Sequence, residues 1–204
     1  MASKTNPELN QAIQNIETFK GLIKSKAPSR SERLLELVNL LEENLIVAPS
    51  STRTEYHGAF PGGLVSTSLS VVKAMGALNK VYEAGLDADN LVVAGLFYDI
   101  GKCGDEKNPY YIPKNSDWHR QQGIMYDVNP ELLPMSVANR SLYLLQSAGI
   151  WLTKEEHYAI SSVKDKFRFG EESLATGHEP MLAVVLQQAV RVVCMKGSGK
   201  TSLL

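Results

Sequence analysis

The chain has 204 residues, with 21 Lys and Arg against 22 Asp and Glu and a formal net charge of −1. That length suffices for one sizeable core, and the balanced charge excludes the broad positive field that nucleic-acid backbones or anionic membranes select. The longest uncharged apolar runs, residues 91–98 and 181–186, fall far short of a spanning helix. Met1-Ala2-Ser3-Lys4 leads into polar residues rather than the apolar core of a signal peptide. A soluble, cytoplasmic protein with no nucleic-acid or membrane partner is the expectation. Cys103 and Cys194 have no metal-ligand spacing and read as reduced thiols.

Asn6-Pro7-Glu8 opens a first helix, because Asn can cap free amides and Pro has no amide to leave unpaired. Leu9, Ile13, Ile16, Phe19 and Ile23 then share one face. Ser29-Arg30-Ser31-Glu32 is a capping-box pattern for a second helix carrying Leu34, Leu35, Leu37, Val38, Leu41 and Leu45 and ending at Pro49. Gly62-Gly63 precedes a third, with Leu64, Val65, Leu69, Val72, Met75, Leu78 and Tyr82, stopped at Gly85. Asp87 or Asp89 caps a fourth over residues 90–100.

Between Gly101 and Pro134 the helical period disappears. Tyr110-Tyr111-Ile112 and Ile124-Met125-Tyr126 are rich in strand formers and predict a short hairpin or ordered loop. Helices resume over residues 136–148, again after the capping box Thr153-Lys154-Glu155-Glu156, and finally over 179–195. Phe167-Arg168-Phe169-Gly170 and Gly177 mark the loop before the last one. The pattern predicts an all-α, multi-helix bundle with a short insertion around 105–130. Its predicted organisation is an N-terminal helical arm, 1–54, packed on a domain of residues 55–195, then a flexible tail, 196–204.

Two blocks carry a resemblance. Tyr56-His57-Gly58-Ala59-Phe60-Pro61-Gly62-Gly63-Leu64-Val65-Ser66-Thr67-Ser68-Leu69 and, one helix later, Phe97-Tyr98-Asp99-Ile100-Gly101-Lys102 resemble the opening and the His-Asp signature of HD-domain metal-dependent phosphohydrolases, particularly bacteriophage ones. The resemblance implies an HD-like helical domain, a phage protein in the host cytoplasm, and a metal site whose ligand positions here hold Thr67, Tyr98, Val137 and Val190 instead of His or Asp. Ala189-Val190 stands where the family has an Ala-Asp pair, and Ser161-Ser162-Val163-Lys164 where it continues into His-Asp-Gly. Asp99 alone survives. A hydrolytic metal needs several His or carboxylate ligands, and a phenol at neutral pH is a poor one, so no metal or other cofactor is expected.

Compensating ligands would have to come from His57, His119, His157 or His178. His157 and His178 read as solvated side chains, whereas His57 sits beside the Gly-Gly-Leu block. The resulting reading is a pseudo-phosphohydrolase that binds a protein partner or a small phosphorylated ligand. The candidate ligand cleft is bounded by His57, Lys102, Trp118, His119, Arg120 and Arg140, with Lys164 as a weaker member, because aromatic faces and cations suit stacking and phosphate pairing. Two alternatives stand beside it: an active nucleotide phosphohydrolase using a divalent metal with Asp99 and Lys102, and a structural or assembly protein. Gly197-Ser198-Gly199-Lys200-Thr201 imitates half of a phosphate-binding loop, but Cys194 occupies the place of its first glycine, and the tail reading is preferred.

Overall fold

The computed structural model describes residues 7–163 and 178–197. Over these residues the protein is an all-α, multi-helix bundle carrying one two-stranded hairpin. Helices α1 (Pro7–Lys26), α2 (Ser31–Leu40) and α3 (Glu42–Val47) come first. The long α4 (Gly63–Val81) and the apolar α5 (Ala88–Phe97) follow. A 3₁₀ turn, Ile100–Cys103, leads into β1 (Tyr111–Pro113), α6 (Asp117–Gln121) and β2 (Tyr126–Val128). Helices α7 (Val137–Ser147), α8 (Lys154–Ser162) and α9 (Met181–Gly197) complete the described chain. Among the described residues no helix is long and apolar enough to cross a membrane.

Helix α5 is the axis. Its residues 91–97 are all buried, as the continuous apolar run requires, and α1, α4, α8 and α9 pack around it. One core joins Ile16, Phe19 and Ile23 of α1 to Phe97, Leu145, Ile160 and Leu186. The rings of Phe19 and Phe97 meet edge to face at 5.5 Å, an arrangement favoured by the ring quadrupoles. Burying one such aromatic stabilises the fold by roughly 1.5–3 kcal/mol.

The face of α1 is narrower than its apolar spacing suggests. Ala12, Ile16, Phe19 and Ile23 are buried, whereas Leu9 and Ile13 are half exposed. The start of the helix rests on the turn at Gly62, where an added Cβ would lie 2.8 Å from that of Ala12.

Helix α2 also departs from expectation. The run that reads as one helix to Leu45 breaks at Leu41 (φ −96°, ψ 2°), and the break turns α3 toward α1, where Glu42 meets Lys20 at 2.8 Å. Ser29 does not cap α2. A 3₁₀ turn, Pro28–Arg30, precedes the helix, and no side chain caps it. The reason is tertiary: Arg30 reaches Glu156 with Nη1 and Nη2 at 2.8 and 2.7 Å and also pairs with Asp89. Asp89 thereby serves Arg30, and neither it nor Asp87 caps α5 through its side chain.

The later signals are realised locally. Ser136 accepts from the amide of Asn139, and Thr153 with Glu156 forms a complete capping box. The hairpin pairs Tyr111 with Val128 and Pro113 with Tyr126. Between its strands, residues 117–121 form a helical turn rather than the expected loop, and α9 runs to Gly197, two residues beyond the expected end.

Candidate functional site

The segment 48–63 is folded tightly against α4. Leu64 donates its amide to Ala48 at 3.0 Å and Ser50 donates to Gly58 at 2.7 Å. Gly58 has φ +64°, a conformation that favours glycine. A Cβ on Gly63 would lie 2.2 Å from the Gly58 carbonyl oxygen. The glycines of the first block therefore do packing work: they let the turn lie flat on the helix start and bring Gly58 against Ser50 and Thr67.

Ser50 is the link that the sequence does not announce. Its carbonyl accepts a short hydrogen bond from Lys102 Nζ, and the same ammonium lies 2.7 Å from Asp99 Oδ2. Lys102 and Asp99 are both buried. The 3₁₀ turn at Ile100–Cys103 sets this geometry by folding Lys102 back over Asp99, its amide donating to the Asp99 carbonyl at 2.9 Å. A second support comes from α7. Ser141 Oγ accepts from the Gly101 amide at 2.9 Å, and a Cβ on Gly101 would lie 2.4 Å from the carbonyl oxygen of Val137. Val137 is thus carried against this turn through its backbone.

Tyr98 is fully buried, and desolvation pushes its phenol well above the usual tyrosine range, with the charges of Asp99 and Cys194 adding to the rise. Cys194 is half-buried on α9 and lies 3.3 Å from Nε2 of His57. Gly197 passes close over the His57 Cβ, 2.7 Å from where its own Cβ would be. A connected circuit results: Thr67 touches Gly58, Gly58 touches Ser50, Ser50 holds Lys102, Lys102 holds Asp99, and Tyr98 and Cys194 lead back to His57. Val190 packs on the core beside the fully buried Ala189.

The remaining predicted ligand residues do not join this circuit. Trp118 is 62 % exposed and stacks edge-on against His119 on α6. Arg120 is exposed, donating to the Lys114 carbonyl at 3.4 Å. His119 Nδ1 is buried without a hydrogen-bond partner. Arg140 is buried beneath the hairpin base, with Nη2 donating to the Leu133 carbonyl at 2.6 Å and the guanidinium over the Tyr110 ring. Trp118, His119 and Arg120 share α6, and the turn that follows it is bonded to the segment 48–63, Thr54 donating its amide to the Gly123 carbonyl at 2.9 Å, while Arg140 on α7 faces Tyr110. His157 and His178 are exposed. Lys164, the segment 167–170, Gly177 and residues 198–204 lie outside the described residues.

Two contributors escaped sequence reasoning. Ser50 acts through its backbone, which no side-chain pattern reveals. Cys194 lies one helical turn after Val190, so the i,i+4 rule applied to that position points to it.

A divalent metal is held by several His or carboxylate ligands; among the described residues no group of three or more His, Cys, Asp or Glu is placed together in this way. The Asp99 carboxylate faces the Lys102 ammonium. Comparison with known proteins gives no match to a family model, to a curated protein or to a solved structure.

Proposed function

We propose that the protein is a catalytically degenerate domain of the HD phosphohydrolase type that works by binding a protein partner. One observation carries this reading: Lys102 Nζ sits on Asp99 and on the Ser50 carbonyl in a buried position. An intramolecular ammonium supplies the positive charge that a metal would supply to that carboxylate. It cannot, however, acidify a water or polarise a phosphoryl oxygen as a coordinated cation does. The phage origin of the resembling segments belongs to the same proposal.

A protein partner is favoured over a small phosphorylated ligand because Lys102, the cation beside Asp99, is committed internally to two acceptors.

The test is metal analysis of the purified full chain after dialysis against Mg²⁺, Mn²⁺ or Zn²⁺, with calorimetric titration and phosphate-release assays over mono-, di- and cyclic nucleotides. Metal well below one equivalent, no nucleotide binding and no release above the buffer rate are expected. Metal-dependent release that Asp99→Asn abolishes would establish the hydrolase reading instead, and nucleotide binding without release would establish the ligand-binding one.

A further inference from the structure

A second feature lies apart from the Asp99 centre, where the chain leaves β2 and enters α7. An open groove of about 560 Å³ runs there between Tyr110 and residues 128–135, with Arg140 at its head. Its volume falls within the range of small-molecule sites. Leu132 and Met135, with Val128 at the exposed rim, give it an apolar lining, and Pro130 and Pro134 stiffen its wall. Asn129 locks the wall to the hairpin: its amide donates to the Tyr110 carbonyl at 2.8 Å, its Nδ2 to the Pro109 carbonyl at 2.9 Å, and its Oδ1 accepts from the Glu131 amide at 3.0 Å. The groove is therefore built before any ligand arrives.

Arg140 is the unexplained group. It is 5 % exposed, and among the described residues it forms no ion pair with a carboxylate. Its Nη2 is held by the Leu133 carbonyl and its face lies over Tyr110 at 5.7 Å, while Nε is buried with no acceptor. A buried guanidinium without a counter-charge is costly to the fold, and this one lines a groove that a ligand can enter.

We propose that this groove binds a small organic carboxylate with an apolar body, the carboxylate meeting the Arg140 guanidinium and the body lying on Val128, Leu132 and Met135. A carboxylate fits because the planar guanidinium fork matches it in shape and charge. A phosphate dianion fits less well, since Arg140 is the one cationic side chain among the groove residues. Nε itself is shielded from solvent, so the carboxylate meets the terminal nitrogens and moves the Nε–H resonance through the shared guanidinium. The inference is independent of the function proposed above, which concerns the other side of the 3₁₀ turn.

The experiment is a titration of the ¹⁵N-labelled full chain, following the Arg140 Nε–H resonance and the amides of residues 128–135. The probes are phenylacetate, its uncharged amide phenylacetamide, and inorganic phosphate. Phenylacetate is expected to give saturable shifts at both places, with affinity at least ten-fold above the amide and above phosphate. Arg140→Met is expected to bring the acid-to-amide ratio close to one. Should that variant fold poorly, Val128→Trp fills the groove from its exposed rim and is expected to abolish binding while leaving Arg140 in place. Equal affinities for acid and amide, tighter binding of phosphate, or phenylacetate binding unchanged in Val128→Trp would each overturn the assignment. So would an acetylated peptide ending in aspartate that shifts these resonances where phenylacetate does not.

Discussion

Two ion clusters hold this chain together on opposite plans. Arg30 joins the turn before α2 to Glu156 on α8 and Asp89 on α5, spanning 126 and 59 positions. Lys102 and Asp99 are three positions apart, and the Ser50 carbonyl ties the pair to another part of the chain. Arg30 presents a planar fork, bidentate on a carboxylate that also completes a capping box. Lys102 presents a compact charge on a flexible stem. The contrast teaches a distinction: ion pairing between distant elements fixes how helices dock, whereas a local pair turned inward occupies a centre.

The sharpest way to break the comparison is Arg30→Met. It leaves Glu156, which is 0 % exposed, without its main counter-charge, and is expected to cost about 3–5 kcal/mol, read as the shift of a urea midpoint at neutral pH. Adding Glu156→Gln is expected to recover little of this, because Asp89 and the Trp151 carbonyl have also lost the guanidinium and the capping box has lost its charged member.

Lys102→Met is the parallel experiment at the other cluster, with an expected cost of about 3 kcal/mol. Here the double variant with Asp99→Asn is expected to regain most of the loss, since a local pair replaced as a unit leaves no orphaned charge. Failure of the double variant to recover would mean that Lys102 acts chiefly through Ser50 and that the filling role assigned to the pair is wrong.

The smallest effect is read from alkaline pH. Burial pushes the Cys103 thiol from about 9 up to about 12, and Tyr98 is raised well above 10 by burial first and Asp99 second. Below about pH 8 both groups stay protonated folded and unfolded, so they contribute no slope. Above it the unfolded chain releases protons that the folded chain keeps, and stability falls as pH rises. The limiting slope is about 1.4 kcal/mol per pH unit for each group. Urea midpoints measured from pH 8 to 10.5 are expected to fall, and Cys103→Ala to flatten the early part of the decline.

Much of the fold can be read from the chain because its causes are local. The capping box at Thr153, the cap at Ser136 and the strand formers of the hairpin all act within a few residues of themselves, whereas α4 ends at Val81, before Gly85, with Glu83 taking the left-handed conformation. Where reading fails, a distant partner has intervened. Ser29 and Asp89 are drawn from capping into the Arg30 cluster, and Leu41 yields its helical geometry so that α3 can close on α1. The candidate site divides in the same way. The two blocks that hold Thr67 and Tyr98 are visible in the residues themselves. That His57 meets Cys194, and that Arg140 lies over Tyr110, follows from how α9 and the hairpin pack.

The sequence by itself determined the helical class and the order of elements, because period and caps are properties of short segments. Tertiary structure alone decided what surrounds Asp99. Lys102 lies three residues beyond Asp99 whatever the fold, but only the packing of residues 48–63 against α4 brings the Ser50 carbonyl to it and closes water out. An exposed Lys–Asp pair contributes little. The same pair, buried and held by a backbone acceptor, occupies the centre of the site.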